Sequence, residues 1–258
     1  TLRIKQGTEL QINSSTIEFG PEGAIVIENS DLNFIPAIGG NLRGGRLIVN
    51  NSTLTQVQSC SNKWQGVTVL PVASATNYYS ALATDPANQR FPHGYLEING
   101  TSTISHAITG IKNYLPVRTP SPFYKLNGAG AIKATGTNFI ENDVAIVFGS
   151  DRTKSFITGC NFSNSPEFII FNGSSGVEIS GGTRFYNSPS AGYSNLNGTA
   201  IKSINSTFKI KSSSFENFEY GIKHYRNPAI SPVDSGFKAP LTLVDNDFTN
   251  IRYGIYDQ

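Results

Sequence analysis

The chain has 258 residues, a formal charge of +2 and only 15% charged residues. That balance leaves no electrostatic footprint for nucleic acid, and no stretch reaches the roughly 20 apolar residues that cross a bilayer. Charge is replaced by Asn, Ser, Thr and Gly, which suit turns and strand faces and disfavour helices.

Strand-type alternation begins near the start of the chain. Leu10-Gln11-Ile12 is followed by Ile17 and Phe19, Ile25-Val26-Ile27 by Leu32 and Phe34, and Leu47-Ile48-Val49 by Leu54. A period of two sends alternate side chains inward. The polar groups between them, Asn13-Ser14-Ser15, Glu28-Asn29-Ser30 and Asn50-Asn51-Ser52, are expected corners. There Asn and Ser bond their own backbone, and Asn tolerates a left-handed residue. The same unit returns at Leu96-Glu97-Ile98, Ile132, Phe156-Ile157, Val177-Glu178-Ile179, Phe208-Lys209-Ile210 and Leu241-Thr242-Leu243. No apolar stripe of helical period runs long enough for a helix, so corners must join the strands.

A longer repeat overlies this alternation. A large apolar residue is followed by a small polar residue and then by a Gly/Ala-Ile-like pair. It occurs at Ile104…Gly110-Ile111, Phe139…Ala145-Ile146, Phe162…Phe168-Ile169, Phe185, Phe215…Gly221-Ile222 and Phe248…Gly254-Ile255, with steps of 35, 23, 23, 30 and 33 residues. A repeat of about 20–35 residues with β-type composition predicts a stacked array. Phe139, Phe162, Phe215 and Phe248 are then expected in one interior column. Asn142, Asn164, Asn187, Asn217 and Asn250 are expected at one corner, where amides can bond along the axis. The Asn-Gly pairs follow the repeat rather than a hairpin spacing, which argues against a β-sandwich.

Cys60 and Cys160 stand 100 residues apart. At about 4.8 Å per layer they lie at least about 14 Å apart, beyond the roughly 7 Å Cα limit of a disulfide. Two separate, mostly buried thiols are expected. The chain has no Met and shows no secretory leader. Its ends look cut, so a segment of a longer protein, or a subunit covered by neighbours, is expected.

These residues resemble the right-handed parallel β-helix superfamily, the pectin-lyase-like fold of lyases and of many secreted bacterial surface proteins. Gly7-Thr8-Glu9-Leu10-Gln11-Ile12 resembles the opening of such helices. Lys63-Trp64-Gln65-Gly66-Val67 and Ile104 to Ile111 resemble their rungs. The resemblance implies an all-β, single-stranded right-handed parallel β-helix, one solenoid domain over residues 1–258 with about ten coils and loop insertions at one corner.

The long insertions, 71–94, 113–128, 149–155 and 224–240, all follow the strand that holds the Gly-Ile pair. Loops that share a phase must stack along one edge, and binding residues concentrate on such loops. The candidate ligand-binding residues are Tyr78, Tyr79, Tyr114, Arg118, Tyr124, His224, Tyr225 and Arg226, with Arg90, His93 and Phe123 nearby. Aromatic faces beside Arg suit sugar rings and acidic groups. Trp64 and His106 fall in rung motifs and read as structural. Asp245 and Asp247 bracket a corner and read as turn residues. Lys112 and Lys223 each follow a Gly-Ile pair and read as an outer face, the sharper alternative being a lyase base.

The Asp-Asp and Gly-His-Gly motifs of the pectin-cutting hydrolases are absent, and no metal or cofactor signature stands out. The expectation is a non-enzymatic extracellular or cell-surface module, an adhesin or stalk segment that shows loops to glycans or surface proteins. It would bind no nucleic acid and span no membrane. The alternatives are a polysaccharide lyase or glycoside hydrolase working beside the loops, and cargo or a component of a bacterial secretion or motility assembly.

Overall fold

The computed structural model describes residues 1–29, 44–71, 93–114, 130–149, 154–188, 198–225 and 241–257. Within them every regular element is a strand, and every strand pairing is parallel. The strands form one sheet of eight and one of fifteen. In both, a strand's neighbour is usually the third one along the chain. That order is compatible with a parallel β-helix.

The chain visits three faces in turn. The first face is the eight-stranded sheet: Glu9–Asn13, Arg46–Asn50, Tyr95–Asn99, Ala131–Thr135, Ser155–Thr158, Val177–Ser180, Phe208–Lys211 and Thr242–Val244. The second holds Thr16–Phe19, Thr53–Gln56, Thr103–Ser105, Asn138–Ile140, Asn161–Ser163 and Arg184–Tyr186. The third holds Leu2–Ile4, Ala24–Ile27, Gly66–Val69, Thr109–Lys112, Val144–Phe148, Glu167–Asn172 and Thr199–Ile204. The long strands Ser214–Tyr225 and Asp247–Asp257 run across the second and third faces and join them into one sheet.

Residues near the corners adopt the left-handed backbone that L side chains avoid at about 1–2 kcal/mol. Between the first and second faces these are Ser14, Asn51, Gly100, Gly136, Gly159, Gly181, Ser212 and Asp245, so Asp245 serves the turn. Between the second and third they are His106, Glu141, Asn164, Asn217 and Asn250. The expected axial amide ladder exists only in part. Asn250 Nδ2 donates to Asn217 Oδ1 at 2.6 Å, whereas Asn142, one residue further from its anchor, donates to the Ile104 carbonyl at 3.1 Å. Asn187 accepts from the amide of Ser165 at 3.1 Å. The amides there close gaps in the backbone ladder, because a bend leaves N–H and C=O groups that must be paired.

The interior column stands as the repeat requires. Phe139 and Phe162 stack at 4.7 Å, Phe162 and Phe185 at 4.8 Å, Phe185 and Phe215 at 4.7 Å, and Phe215 and Phe248 at 4.8 Å. Ile104 and Leu54 continue it toward the N-terminal coils. Trp64 is fully buried, stacked on Phe19 at 4.4 Å, and donates its indole N–H to the Ser105 carbonyl at 2.8 Å. A single apolar cluster reaches from Ile4 to Ile222.

A second column lines the first corner: Ser52, Ser102, Thr137, Cys160, Thr183 and Ser213, all buried. The amide of one coil donates to the side chain of the next, as in Ser15 to Ser52 (3.1 Å), Ser52 to Ser102 (3.2 Å) and Ser213 to Asn246 (3.0 Å). Cys160 takes a hydroxyl's place there, its thiol donating to the Thr158 carbonyl at 3.5 Å. Burial pushes its pKa up to about 11. Cys60 and Cys160 are both free thiols, Cys160 buried as expected and Cys60 only half-buried.

Outside the first face, charge alternates along the axis. Arg46 bridges Glu9 at 3.1 Å and Glu97 at 3.4 Å, and Lys133 meets Glu97 at 2.9 Å. Burial alone would raise the Glu97 carboxyl. Lys133, Asn99 and Tyr95 outweigh it and hold it below its ordinary value.

At the third corner the chain leaves the third face and returns to the first. Backbone bonds pinch these departures shut: Gly45 N–H to the Glu28 carbonyl (2.7 Å), Gly94 to Leu70 (2.9 Å) and Gly130 to Asn113 (3.3 Å). These three departures share one corner, whereas residues 189–197 separate Arg184–Tyr186 of the second face from Thr199–Ile204 of the third, so the expectation of insertions at one corner holds only in part.

Candidate functional site

The outer side of the third face gathers tyrosine and lysine at its C-terminal end. Register aligns Thr199, Tyr220 and Tyr253 in one row, and Lys202, Lys223 and Tyr256 in the next. The reason is local. Tyr220-Gly221-Ile222 and Tyr253-Gly254-Ile255 are the same stretch of consecutive repeats. Gly221 and Ile222 are buried, so Tyr220 and Lys223 lie on the other side of the strand. Gly221 must be small, since a Cβ there would come within 2.8 Å of the Phe248 ring.

The result is an ammonium among phenol rings. Lys223 Nζ lies 4.4 Å from the centre of Tyr220, 5.3 Å from Tyr225 and 5.8 Å from Tyr256. Tyr220 stacks on Tyr253 at 5.1 Å and meets Tyr256 edge-on at 5.5 Å. Such cation–ring contacts hold the ammonium over the ring faces but are weak where they stand in water. A hydrogen bond to Tyr225 raises Lys223 above the ordinary lysine value, so it stays cationic at neutral pH. Lys202 pairs with Glu167 at 3.3 Å, and Arg252 covers Tyr253 at 5.3 Å and pairs with Glu219 at 3.8 Å, so the positive charge of the cluster rests on Lys223. Tyr253 is 38% exposed. The surface thus offers flat rings, hydroxyls and fixed positive charge, which together suit a sugar ring or an acidic group.

The sequence-predicted residues divide three ways. Tyr225 belongs to this cluster. His224 does not sit on the loop edge. It lies inside the long strand, 8% exposed, with Nδ1 2.9 Å from the Ser203 hydroxyl. Strand alternation continues two residues past Ile222 and turns it inward. Tyr114 lies just past Thr109–Lys112, and burial raises its phenol above the ordinary value. Lys112 and Lys223 share one outward row, separated by Val147, Ile170 and Lys202. Four such steps put them about 19 Å apart, so Tyr114 stands well away from Tyr225. Burial lowers Lys112 below the ordinary lysine value. His93 is buried as well, not displayed. Tyr78, Tyr79, Arg90, Arg118, Phe123, Tyr124 and Arg226 lie outside the described residues.

Sequence reasoning missed Tyr220, Tyr253 and Tyr256 because it looked only at insertions. The signal was present: a Tyr immediately before the Gly-Ile pair in two consecutive repeats. Among the described residues no three His, Cys, Asp or Glu side chains converge as metal ligands, and no helix is long and apolar enough to cross a membrane. Comparison with family models, curated proteins and solved structures finds no match.

Proposed function

We propose that the chain is a right-handed parallel β-helix module of a secreted or cell-surface protein, an adhesin or stalk segment that binds glycan on its third face. The right hand follows the strong preference of parallel strand–crossover–strand connections. The observation that carries the binding reading is Lys223 among Tyr220, Tyr225 and Tyr256, with Tyr253 stacked alongside. Rings built into paired strands need little ordering to bind, which favours a preformed platform over a mobile one. Tyrosine faces take the apolar side of a sugar ring, and the Lys223 ammonium favours carboxylate- or sulfate-bearing sugars.

The test is a glycan array followed by titration calorimetry on the strongest acidic polysaccharide. Tyr220→Ala and Tyr253→Ala should each weaken binding about tenfold, the equivalent of about 1.4 kcal/mol. Lys223→Gln should weaken acidic glycans more than neutral ones. Binding unchanged in all three variants would sink the proposal. Tyr and Arg are also the residues that anchor protein interfaces. A protein ligand is therefore the second reading, supported if the same variants lose capture of a surface protein while the glycan array stays blank.

A further inference from the structure

A separate set of side chains converges on the second face, several coils before the tyrosine site. Thr55 and Ser105 neighbour one another across paired strands, one residue past the Leu54–Ile104 register pair. Ser105 Oγ donates to Thr55 Oγ1 at 2.9 Å. Thr55 Oγ1 lies 3.4 Å from His106 Nδ1, and His106 Nε2 lies 2.9 Å from Glu141 Oε2. Lys63 fixes the carboxylate side by donating to the Glu141 carbonyl at 2.6 Å and to Asp143 at 2.8 Å.

Two features separate this cluster from ordinary surface pairing. His106 and Glu141 both occupy the left-handed corner position, at φ 56° and 55°. Asn164, Asn217 and Asn250 hold the equivalent position in later coils. Asn, Asp and His are enriched in this backbone, so His106 suits the turn, whereas Glu141 in the next coil departs from the turn pattern and places its carboxylate on the imidazole. The distances also suit proton transfer, since Thr55 Oγ1 lies between the Ser105 hydroxyl at 2.9 Å and His106 Nδ1 at 3.4 Å. Nε2–H donated to Glu141 leaves Nδ1 as the acceptor. A hydroxyl, an imidazole and a carboxylate in series are the parts of nucleophilic acyl transfer. His106 and Glu141 are 39% and 45% exposed, so a substrate can reach them.

We propose that Thr55, His106 and Glu141 form an acyl-transfer site that hydrolyses carboxylic esters. Thr55 Oγ1 attacks the ester carbonyl carbon as its proton passes to His106 Nδ1. The bond from carbonyl carbon to alcohol oxygen breaks, the leaving alkoxide takes that proton, and Thr55 is left acylated. A water then gives a proton to the same nitrogen and attacks the acyl carbon. The carboxylic acid leaves, and Thr55 regains its proton. Glu141 holds the imidazole in the right tautomer and balances its charge. Ser105 and Lys63 are positioning residues.

The experiment uses p-nitrophenyl acetate with the purified chain, read by nitrophenolate release and by mass-spectrometric mapping of acyl adducts. Turnover above that of free histidine at equal concentration, with the acyl group mapped to Thr55, is expected. Thr55→Val and His106→Asn should lower the rate about a hundredfold, the scale of a lost general base. Both changes suit their sites, since Val matches Thr in shape and Asn accepts the left-handed backbone. Glu141→Gln should lower it less and move the pH profile. A rate no greater than free histidine overturns the proposal. So does an adduct found only on lysines, or a rate untouched in Thr55→Val and His106→Asn. The adduct map on the unmodified chain decides the matter even if a variant fails to fold.

Discussion

Replacing Phe162 by Ala removes the middle of the phenyl column. Phe162 is 1% exposed, lies 4.7 Å from Phe139 and 4.8 Å from Phe185, and meets Phe168 at 5.9 Å. A buried Phe→Ala change costs about 3–5 kcal/mol through lost burial and the cavity left behind. Contacts on both ring faces place Phe162→Ala at the upper end, about 5 kcal/mol. Among the described residues Phe248 stacks only on Phe215, and it is only partly buried, so Phe248→Ala should cost about half as much. The assay is urea unfolding followed by circular dichroism and by fluorescence of Trp64, the single tryptophan. Since stacked repeats can unfold in parts, the two probes should be compared. Equal losses at the two positions, or a loss below about 1 kcal/mol at Phe162, would refute the stacking argument.

Other consequences follow from the same geometry. Cys160→Thr restores the residue type of Thr137 and Thr183 and should cost less than about 1.5 kcal/mol, whereas Cys160→Leu should cost about 1–3 kcal/mol by overpacking. In the folded chain a maleimide should label Cys60 well before Cys160, whose pKa is pushed up to about 11. Glu97 is held below its ordinary value of 4.5. Its contribution is therefore full above that pH and lost as pH falls through the depressed folded value. Glu97→Gln should flatten the fall in the urea midpoint on acidification, and an unchanged acid profile would dismiss the ladder's role. Gly66 has φ +84° and faces the Thr109 backbone too closely for a Cβ. Gly66→Ala should lower stability by more than about 1 kcal/mol, measured in the same unfolding assay.

Much of the fold was legible because identical parts recur at readable spacing. The step of 23 residues from Phe139 to Phe162 and again to Phe185 is one coil without insertion, so the column could be read directly, and 149–155 is an ordinary return to the first face rather than the long insertion expected of it. Asn13-Ser14-Ser15 and Asn50-Asn51-Ser52 announced corners because few other residues accept that backbone. The corner carrying 71–94, 113–128 and 224–240 followed from their common phase, while 189–197, between the second and third faces, has a different phase and was not read. The sites were harder to see. Tyr220 and Tyr253 reach one another only through register, and residues 226–240 interrupt the count between their coils. His224 was misplaced because a strand's end cannot be read from the Gly-Ile pair alone. Thr55, His106 and Glu141 are separated in sequence by 51 and 35 residues, and nothing local to any of them announces the others.

The decisive measurement is a crosslinking test of register, in a chain carrying Cys60→Ser and Cys160→Thr. Glu178 and Lys209 are register partners on the outer side of the first face. Partners across a parallel pair lie about 4.8 Å apart, inside the 4.4–6.8 Å Cα range of a disulfide. Lys211 is two residues out of register, at about 8 Å. Mild oxidation should crosslink Glu178→Cys with Lys209→Cys within one chain and leave Glu178→Cys with Lys211→Cys reduced. Crosslinking of the second pair but not the first would mean that the coils do not lie on one another as described.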